Sequence, residues 1–117
     1  MNSYIRTLSE TGYDDTYGAV AVDGTGRPFV GYSRSNATHT PQAALATPGF
    51  QTVVEPSVAG TTACHTGVPP PCNERWGDYL GATQDPSNHQ ALWFVDLYQT
   101  ASGGDGWTTV IASITVA

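Results

Sequence analysis

The sequence has no lysine and few charged side chains of any kind. Only 12% of its 117 residues are charged, its basic residues are four arginines, and its formal net charge is -6. A surface of this sign repels phosphate backbones and anionic lipids, which argues against binding to nucleic acids or membrane surfaces. No apolar run approaches the roughly 20 residues of a membrane helix. No charged and apolar leader follows Met1, which suggests a segment cut from a longer secreted chain.

Recognised motifs for catalysis and metal binding are also missing. There is no nucleophile elbow, phosphate loop or dinucleotide fingerprint. The three histidines and two cysteines have no zinc-ligand spacing, so we expect no zinc and no organic cofactor. Calcium stays open, because Asp14, Asp15 and Asp105 are predicted to lie in loops whose oxygen atoms would suit it.

Cysteine is scarce, and its two copies lie close together. Cys64 and Cys72 bracket a loop stiffened by three consecutive prolines. We expect a disulfide across this loop, which would imply an oxidising, extracellular or secreted location. Two free thiols are the alternative.

Glycine and proline, by contrast, are abundant. The chain has 13 Gly and 8 Pro, a composition typical of short strands joined by turns. Tyr17–Asp23 is a run of small and β-branched residues that predicts a strand buried on both faces. A Gly-containing turn follows, and Phe29–Ser33 predicts the returning strand of a hairpin. We therefore predict an all-β chain.

Further strands are predicted on both sides of the proline-rich loop. The β-branched run near the carboxyl end gives the clearest signal. The predicted segments are Asn2–Leu8, Pro41–Ala46, Phe50–Val54, Trp76–Asp85, Ala91–Tyr98 and Trp107–Val116.

Two of the predicted hairpins share a pattern. Tyr17–Asp23 aligns with Tyr79–Asp85, and Phe29-Val30 aligns with Phe94-Val95 if the second turn is longer. The repeat divides the chain into unit one (11–63), a Cys/Pro loop (64–74) and unit two (75–117), to which residues 2–8 could add a strand. Four-stranded units repeated in sequence are typical of β-propeller blades.

The second unit begins with Arg75-Trp76-Gly77-Asp78-Tyr79. Together with Asp85-Pro86, Leu92-Trp93-Phe94 and Trp107–Ile111, this stretch resembles a blade of sialidase-like (BNR-type) six-bladed propellers of secreted bacterial proteins. The turn from Asp23 to Phe29 is similar to the Asp-box of that superfamily. The resemblance implies two four-stranded blades. Leu80 stands where we would expect a small polar residue.

Two blades cannot close a propeller, which needs 4–8. Either the missing blades lie in a longer parent chain, or three copies assemble into a six-bladed homotrimeric ring. A compact β-sandwich is a further alternative.

The candidate ligand-binding residues are aromatic and charged groups that could stack on sugar rings and bind their hydroxyls. They are Arg75, Trp76, Asp78, Tyr79 and Tyr32. Packing in the core or between blades is the alternative role for Trp76, Trp93 and Trp107. The adjacent pair Asp14-Asp15 is expected to be solvated and not catalytic.

Three functions remain open from the sequence. The first is a non-catalytic extracellular module with a structural or glycan-binding role. The second is a fragment of a sialidase-like glycoside hydrolase, for which the family implies an arginine cluster and for which Arg75 is the candidate. The third is a self-assembling propeller fragment without a ligand.

Overall fold

The computed structural model describes residues 11–47, 50–55, 79–99 and 107–115, with the backbone alone for residues 50–55 and 107. These parts of the chain contain strands and turns and no helix, so the all-β prediction is confirmed. The strands are β1 (Asp14–Val22), β2 (Pro28–Asn36), β3 (His39–Thr47), β4 (Phe50–Glu55), β5 (Gly81–Gln84), β6 (Ala91–Gln99) and β7 (Trp107–Thr115).

The first sheet has the strand order β1-β2-β3-β4, and each neighbouring pair is antiparallel. The predicted hairpin is present as β1 and β2, with Gly26 at a φ of 85° in its turn, a conformation that suits glycine. The β2–β3 turn is closed by Asn36, whose Oδ1 accepts a hydrogen bond from the Thr38 amide at 2.9 Å. The prediction of a strand at Pro41–Ala46 is confirmed within β3.

The second sheet has the order β5-β6-β7 and is also antiparallel. The predicted Trp76–Asp85 strand is described only from residue 79 onward, and there it is shorter, since β5 begins at Gly81. The predicted strand Asn2–Leu8 lies outside the described residues.

The two sheets pack face to face, with β1 against β5 and both β2 and β3 against β6. One cluster at this contact joins Phe29 and Leu45 of the first sheet to Leu92 of the second. A neighbouring cluster joins Ala43 to Phe94 and Val110. Because side chains alternate along a strand, these contacts identify the inner face of each sheet as the one directed at the other sheet.

Gly31 allows the two sheets to approach each other closely. A Cβ atom placed on Gly31 would overlap ring atoms of Phe94. The ring of Phe94 therefore lies directly on the backbone of β2, which only glycine allows here.

The first three strands of the first sheet and the three strands of the second share the same order and antiparallel pairing. Ala19 pairs with Gly31 and Gly31 with Leu45, and in the same way Gly81 pairs with Val95 and Val95 with Ile111. If Asp23 is aligned with Asp85, Ala21 aligns with Thr83, and their pairing partners Phe29 and Trp93 then align with each other. The two sequence alignments, of Asp23 with Asp85 and of Phe29 with Phe94, therefore differ by one residue in register, which in a strand exchanges the two faces.

The burial expected for β1 is also wrong. This strand lies at the edge of its sheet, and Val20 and Val22 are 64% and 48% exposed. Small and β-branched residues suit a strand at an edge as well as one in the interior, so composition alone could not separate the two cases.

Candidate functional site

Asp23 organises the turn between β1 and β2. Its Oδ1 accepts hydrogen bonds from the Thr25 amide at 2.8 Å, the Thr25 hydroxyl at 2.6 Å and the Arg27 amide at 2.9 Å. The Thr25 hydroxyl contributes most to holding the pKa of Asp23 below its ordinary value, because these bonds stabilise the carboxylate. The Arg27 guanidinium lies 3.3 Å from Oδ2. All of these contacts are local, so Asp23 is a turn anchor.

Asp85 has the same role in the turn between β5 and β6. Its carboxylate accepts hydrogen bonds from the indole Nε1 of Trp93 at 2.7 Å and from the amides of Ser87 and Asn88 at 2.7 and 3.0 Å. These bonds, with that of Trp93 the largest contribution, lower the pKa of Asp85. Asp85 thus fixes both the turn and the edge of the Trp93 ring.

The two turns lie side by side. The Gly24 amide donates a hydrogen bond to the carbonyl of His89 at 2.6 Å. A Cβ atom on Gly24 would lie 2.8 Å from Cβ of His89, which is closer than side chains tolerate. The loops at this end of the sheets therefore form one continuous surface.

A buried ion pair lies on the first sheet, on the side away from the second. Arg34 is only 4% exposed, and its Nε lies 3.3 Å from Oδ1 of Asp15, whose side chain is 15% exposed. The guanidinium carbon is 4.2 Å from the ring centroid of Tyr13 and 5.8 Å from that of Tyr32. A cation over two aromatic rings is a stable arrangement in a partly dry environment. The expectation that Asp15 is solvated is wrong, whereas Asp14 is exposed.

Tyr17 interrupts β1 next to this pair. The pairing of β1 with β2 shifts between Thr16 and Gly18, and Tyr17 between them has a φ of 52°. This left-handed conformation is unfavourable for a residue with a Cβ. The bulge turns the Tyr17 side chain outward, where it is 46% exposed.

Asp96 is the most deeply buried carboxylate at the contact between the sheets. It is 1% exposed, and its Oδ1 accepts hydrogen bonds from the Ser33 hydroxyl at 2.9 Å and the Leu97 amide at 2.6 Å. Its Oδ2 is buried with no hydrogen-bond partner among the described residues. Burial raises the pKa of Asp96 to about 6, and the two hydrogen bonds oppose that rise.

Two shallow grooves lie on the sheet faces directed away from the contact. One, of about 180 Å³, is lined by residues of β1 and β2 that include Tyr17, Val30 and Tyr32. The other, of about 230 Å³, is lined by residues of the second sheet that include Trp93, Val95 and Ile111. Both linings are mainly apolar, so neither groove presents a set of catalytic groups.

The structure describes only part of the predicted ligand site. Tyr79 precedes β5 and is 89% exposed, whereas Tyr32 is 4% exposed and packs with Ala44 and Ala46. Little of the Tyr32 ring is therefore available for stacking. Three predicted ligand residues and the predicted disulfide lie outside the described residues: Arg75, Trp76, Asp78, and the pair Cys64 and Cys72.

The described residues contain no cluster of His, Cys, Asp or Glu that could hold a metal ion. Of the predicted calcium ligands, Asp14 and Asp15 belong to β1, and Asp105 lies outside the described parts. Within the same parts of the chain, no helix is long and apolar enough to cross a membrane.

No family model, curated protein or solved structure matches this chain.

Two polar features of the structure were not found from the sequence. Arg34 and Asp15 lie on neighbouring strands and pair with each other in the sheet. Their opposite charges, at positions facing each other across the first hairpin, were the available signal. The sequence also contained a signal for the buried Asp96, since it is a lone carboxylate within the apolar run of β6.

Proposed function

We propose that this chain is a non-catalytic extracellular module built from two β-propeller blades, with a structural or glycan-binding role. Unit one (11–63) and unit two (75–117) would each form a blade, and the sialidase-like resemblance is the starting point. The observation that supports this most is that both sheets begin with a hairpin whose turn is anchored by an aspartate, followed by an antiparallel third strand. If the turn anchors Asp23 and Asp85 are aligned, Trp93 takes the position of the inner residue Phe29. Trp93 lies on the outer side of its own sheet, so the contact then joins opposite faces of the repeated unit.

Packing of one face against the opposite face is what a propeller requires. Each blade covers one side of its neighbour and leaves its own equivalent side for the next. The edge strands β1 and β5 lie next to each other, as the inner strands of adjacent blades would. In a sandwich of two sheets, by contrast, nothing requires opposite faces of a repeated unit to meet.

For glycan binding we propose the stretch from Arg75 to Tyr79. The exposed ring of Tyr79 offers a flat apolar face, on which a sugar ring can stack. Arg75 and Asp78 would supply a donor and an acceptor for hydroxyl groups. Calcium is not needed for this mode of binding.

The test is a glycan array followed by titration of the best glycan into isotope-labelled protein. We expect the Tyr79→Ala variant to lose about fivefold to tenfold in affinity, because stacking contributes roughly 1–1.5 kcal/mol. Val22→Ala is the matched control, since it also shortens an exposed side chain at a sheet edge. Binding that is unchanged in Tyr79→Ala would refute this site, and an array without hits would leave the structural role.

The alternative, a fragment of a sialidase-like hydrolase, requires arginines that are available to a substrate carboxylate. Arg27 and Arg34 instead lie within 3.3 Å of Asp23 and Asp15. We therefore expect no turnover of a fluorogenic sialoside. Turnover that disappears in Arg75→Ala would contradict the non-catalytic proposal.

A further inference from the structure

The turn between β2 and β3 carries a sequence pattern that the proposed function does not use. In Asn36-Ala37-Thr38 an asparagine is followed two residues later by a threonine, with no proline between them. This is the acceptor pattern for N-linked glycans in secreted proteins. The other asparagines, Asn2, Asn73 and Asn88, have no serine or threonine at this spacing. Because such triplets also occur by chance, the surroundings of Asn36 in the fold decide whether a glycan can be attached there.

The triplet forms the tip of a hairpin. β2 ends at Asn36 and β3 begins at His39, with which Asn36 pairs, so only Ala37 and Thr38 connect the two strands. Both connecting residues are exposed, and Asn36 is half-buried. A bulky polar group at such a turn displaces no core side chain, which is why glycans are carried on surface loops.

The contacts of the Asn36 side chain leave its amide nitrogen available. Oδ1 accepts hydrogen bonds from the Thr38 amide at 2.9 Å and from the Thr38 hydroxyl at 3.1 Å, and it lies 3.2 Å from Nδ1 of His39. Nδ2, the atom that carries an N-linked glycan, donates no hydrogen bond to any described residue. A glycan on Nδ2 would therefore leave the contacts that close the turn intact.

The Thr38 hydroxyl has a chemical role in the pattern. The lone pair of an amide nitrogen is delocalised into the carbonyl group, so Nδ2 alone is a weak nucleophile. A hydroxyl two residues further along the chain can hydrogen-bond to the same amide and orient it. The bond from Thr38 to Oδ1 shows that the two side chains meet at this spacing.

Asn88 provides a comparison within the same chain. Its Oδ1 accepts a hydrogen bond from the Gln90 amide at 3.2 Å, in the same local arrangement as Asn36 and the Thr38 amide. Asn88 and Gln90 are both exposed, but Gln90 has no hydroxyl. We therefore expect Asn88 to stay unmodified, although its turn is equally accessible.

We propose that Asn36 is the acceptor for an N-linked glycan. The donor is a lipid-linked sugar diphosphate, which a membrane-bound transferase supplies. Nδ2 forms a bond to C1 of the sugar, the bond from C1 to the diphosphate oxygen breaks with its electron pair, and the lipid diphosphate leaves. Nδ2 gives up one proton to a base of the transferase. The inference rests on the extracellular location in the proposed function, because such a transferase acts on secreted chains.

The test is to secrete the whole chain from eukaryotic cells and to measure its mass before and after treatment with a peptide N-glycosidase. We expect a glycan that the enzyme removes, with Asn36 converted to aspartate in the peptide that contains it. Thr38→Ser keeps the hydroxyl and should keep the glycan, whereas Thr38→Val keeps the shape and should lose the glycan. Asn36→Asp retains Oδ1 for the turn contacts, so it should fold and carry no glycan.

Gln90→Thr is the matched control, because it completes the same pattern at Asn88 in the turn between β5 and β6. Combined with Asn36→Asp, it should acquire a glycan at Asn88, which would show that the chain reaches the transferase. A secreted wild type without a glycan at Asn36, or a glycan that persists in Thr38→Val, would overturn the proposal. The glycan array uses protein made in bacteria without this modification, so an array without hits leaves the result at Asn36 unaffected.

Discussion

Replacing Asp96 by asparagine should stabilise this protein at neutral pH. The Asp96 side chain is buried between the sheets, and among the described residues only its Oδ1 accepts hydrogen bonds, from the Ser33 hydroxyl and the Leu97 amide. Asparagine retains an oxygen acceptor for these two donors and carries no charge. The change therefore removes the cost of burying a carboxylate without creating a cavity.

The size of the stabilisation by Asp96→Asn follows from the pKa of Asp96, which burial raises from 3.8 to about 6. One pKa unit corresponds to about 1.4 kcal/mol, so the shift sets an upper bound of about 3 kcal/mol. Solvent screening near the sheet contact reduces the expected gain to about 1–2 kcal/mol. The folded protein binds the proton more tightly, so the free energy of unfolding should fall as the pH rises from about 4 to about 6.

Urea denaturation followed by circular dichroism at pH 4, 5, 6 and 7.5 measures this effect. The sequence pI is about 4.5, so the acidic samples need low protein concentrations. The difference between Asp96→Asn and the wild type should be near zero at pH 4, should grow through pH 6 and should then level off. A difference that stays constant with pH, or that is largest at pH 4, would refute the assignment of the penalty to this carboxylate.

The remaining predictions concern packing, charge and backbone strain. Gly31→Ala should lower the free energy of unfolding by about 2 kcal/mol or more through overpacking, and Phe94→Leu should recover part of the loss in a double-mutant cycle. Arg34→Gln should lower the free energy of unfolding by about 2–4 kcal/mol, because it leaves the carboxylate of Asp15 without its cation. The double variant with Asp15→Asn should lose less stability than Arg34→Gln alone. Additive effects of the two changes would contradict the pairing. Tyr17→Asn should stabilise by about 0.5–1 kcal/mol, since asparagine tolerates a positive φ, and Tyr17→Val should destabilise; the same urea titrations measure both.

The sequence was sufficient to predict the strands and the first hairpin, because both depend on local signals. Alternation and β-branched residues indicated β7, and the Asp-Gly turn indicated where β1 ends. The strand around Pro41 was a weaker prediction that the structure confirms. Proline lacks an amide donor, so a strand containing it is favoured only where the sheet does not need that hydrogen bond.

The features that the sequence did not reveal depend on register. Aligning Phe29 with Phe94 matched two identical residues, but aligning the turn anchors Asp23 and Asp85 makes Phe29 equivalent to Trp93 through the strand pairing. Since a shift of one residue exchanges the two faces of a strand, the alignment could not show that Trp93 lies on an outer face. The pairing of Arg34 with Asp15 was missed for a related reason, because β1 begins earlier than its apolar pattern suggested.

Register also explains what a destabilising carboxylate contributes to this fold. Asp96 is held in the contact between the sheets by the Ser33 hydroxyl, and a slip of one residue between the sheets would remove that donor while the charge stayed buried. Removing a donor from a buried carboxylate costs more than the hydrogen bond gains. Asp96 therefore penalises misaligned packing more than it penalises the native fold.

Asp96→Leu is the sharpest test of this reasoning, because it should preserve stability at neutral pH but broaden the amide resonances of β6 as alternative registers become populated. Sharp, native-like resonances in that variant would show that Gly31 and Phe94 are sufficient to fix the register.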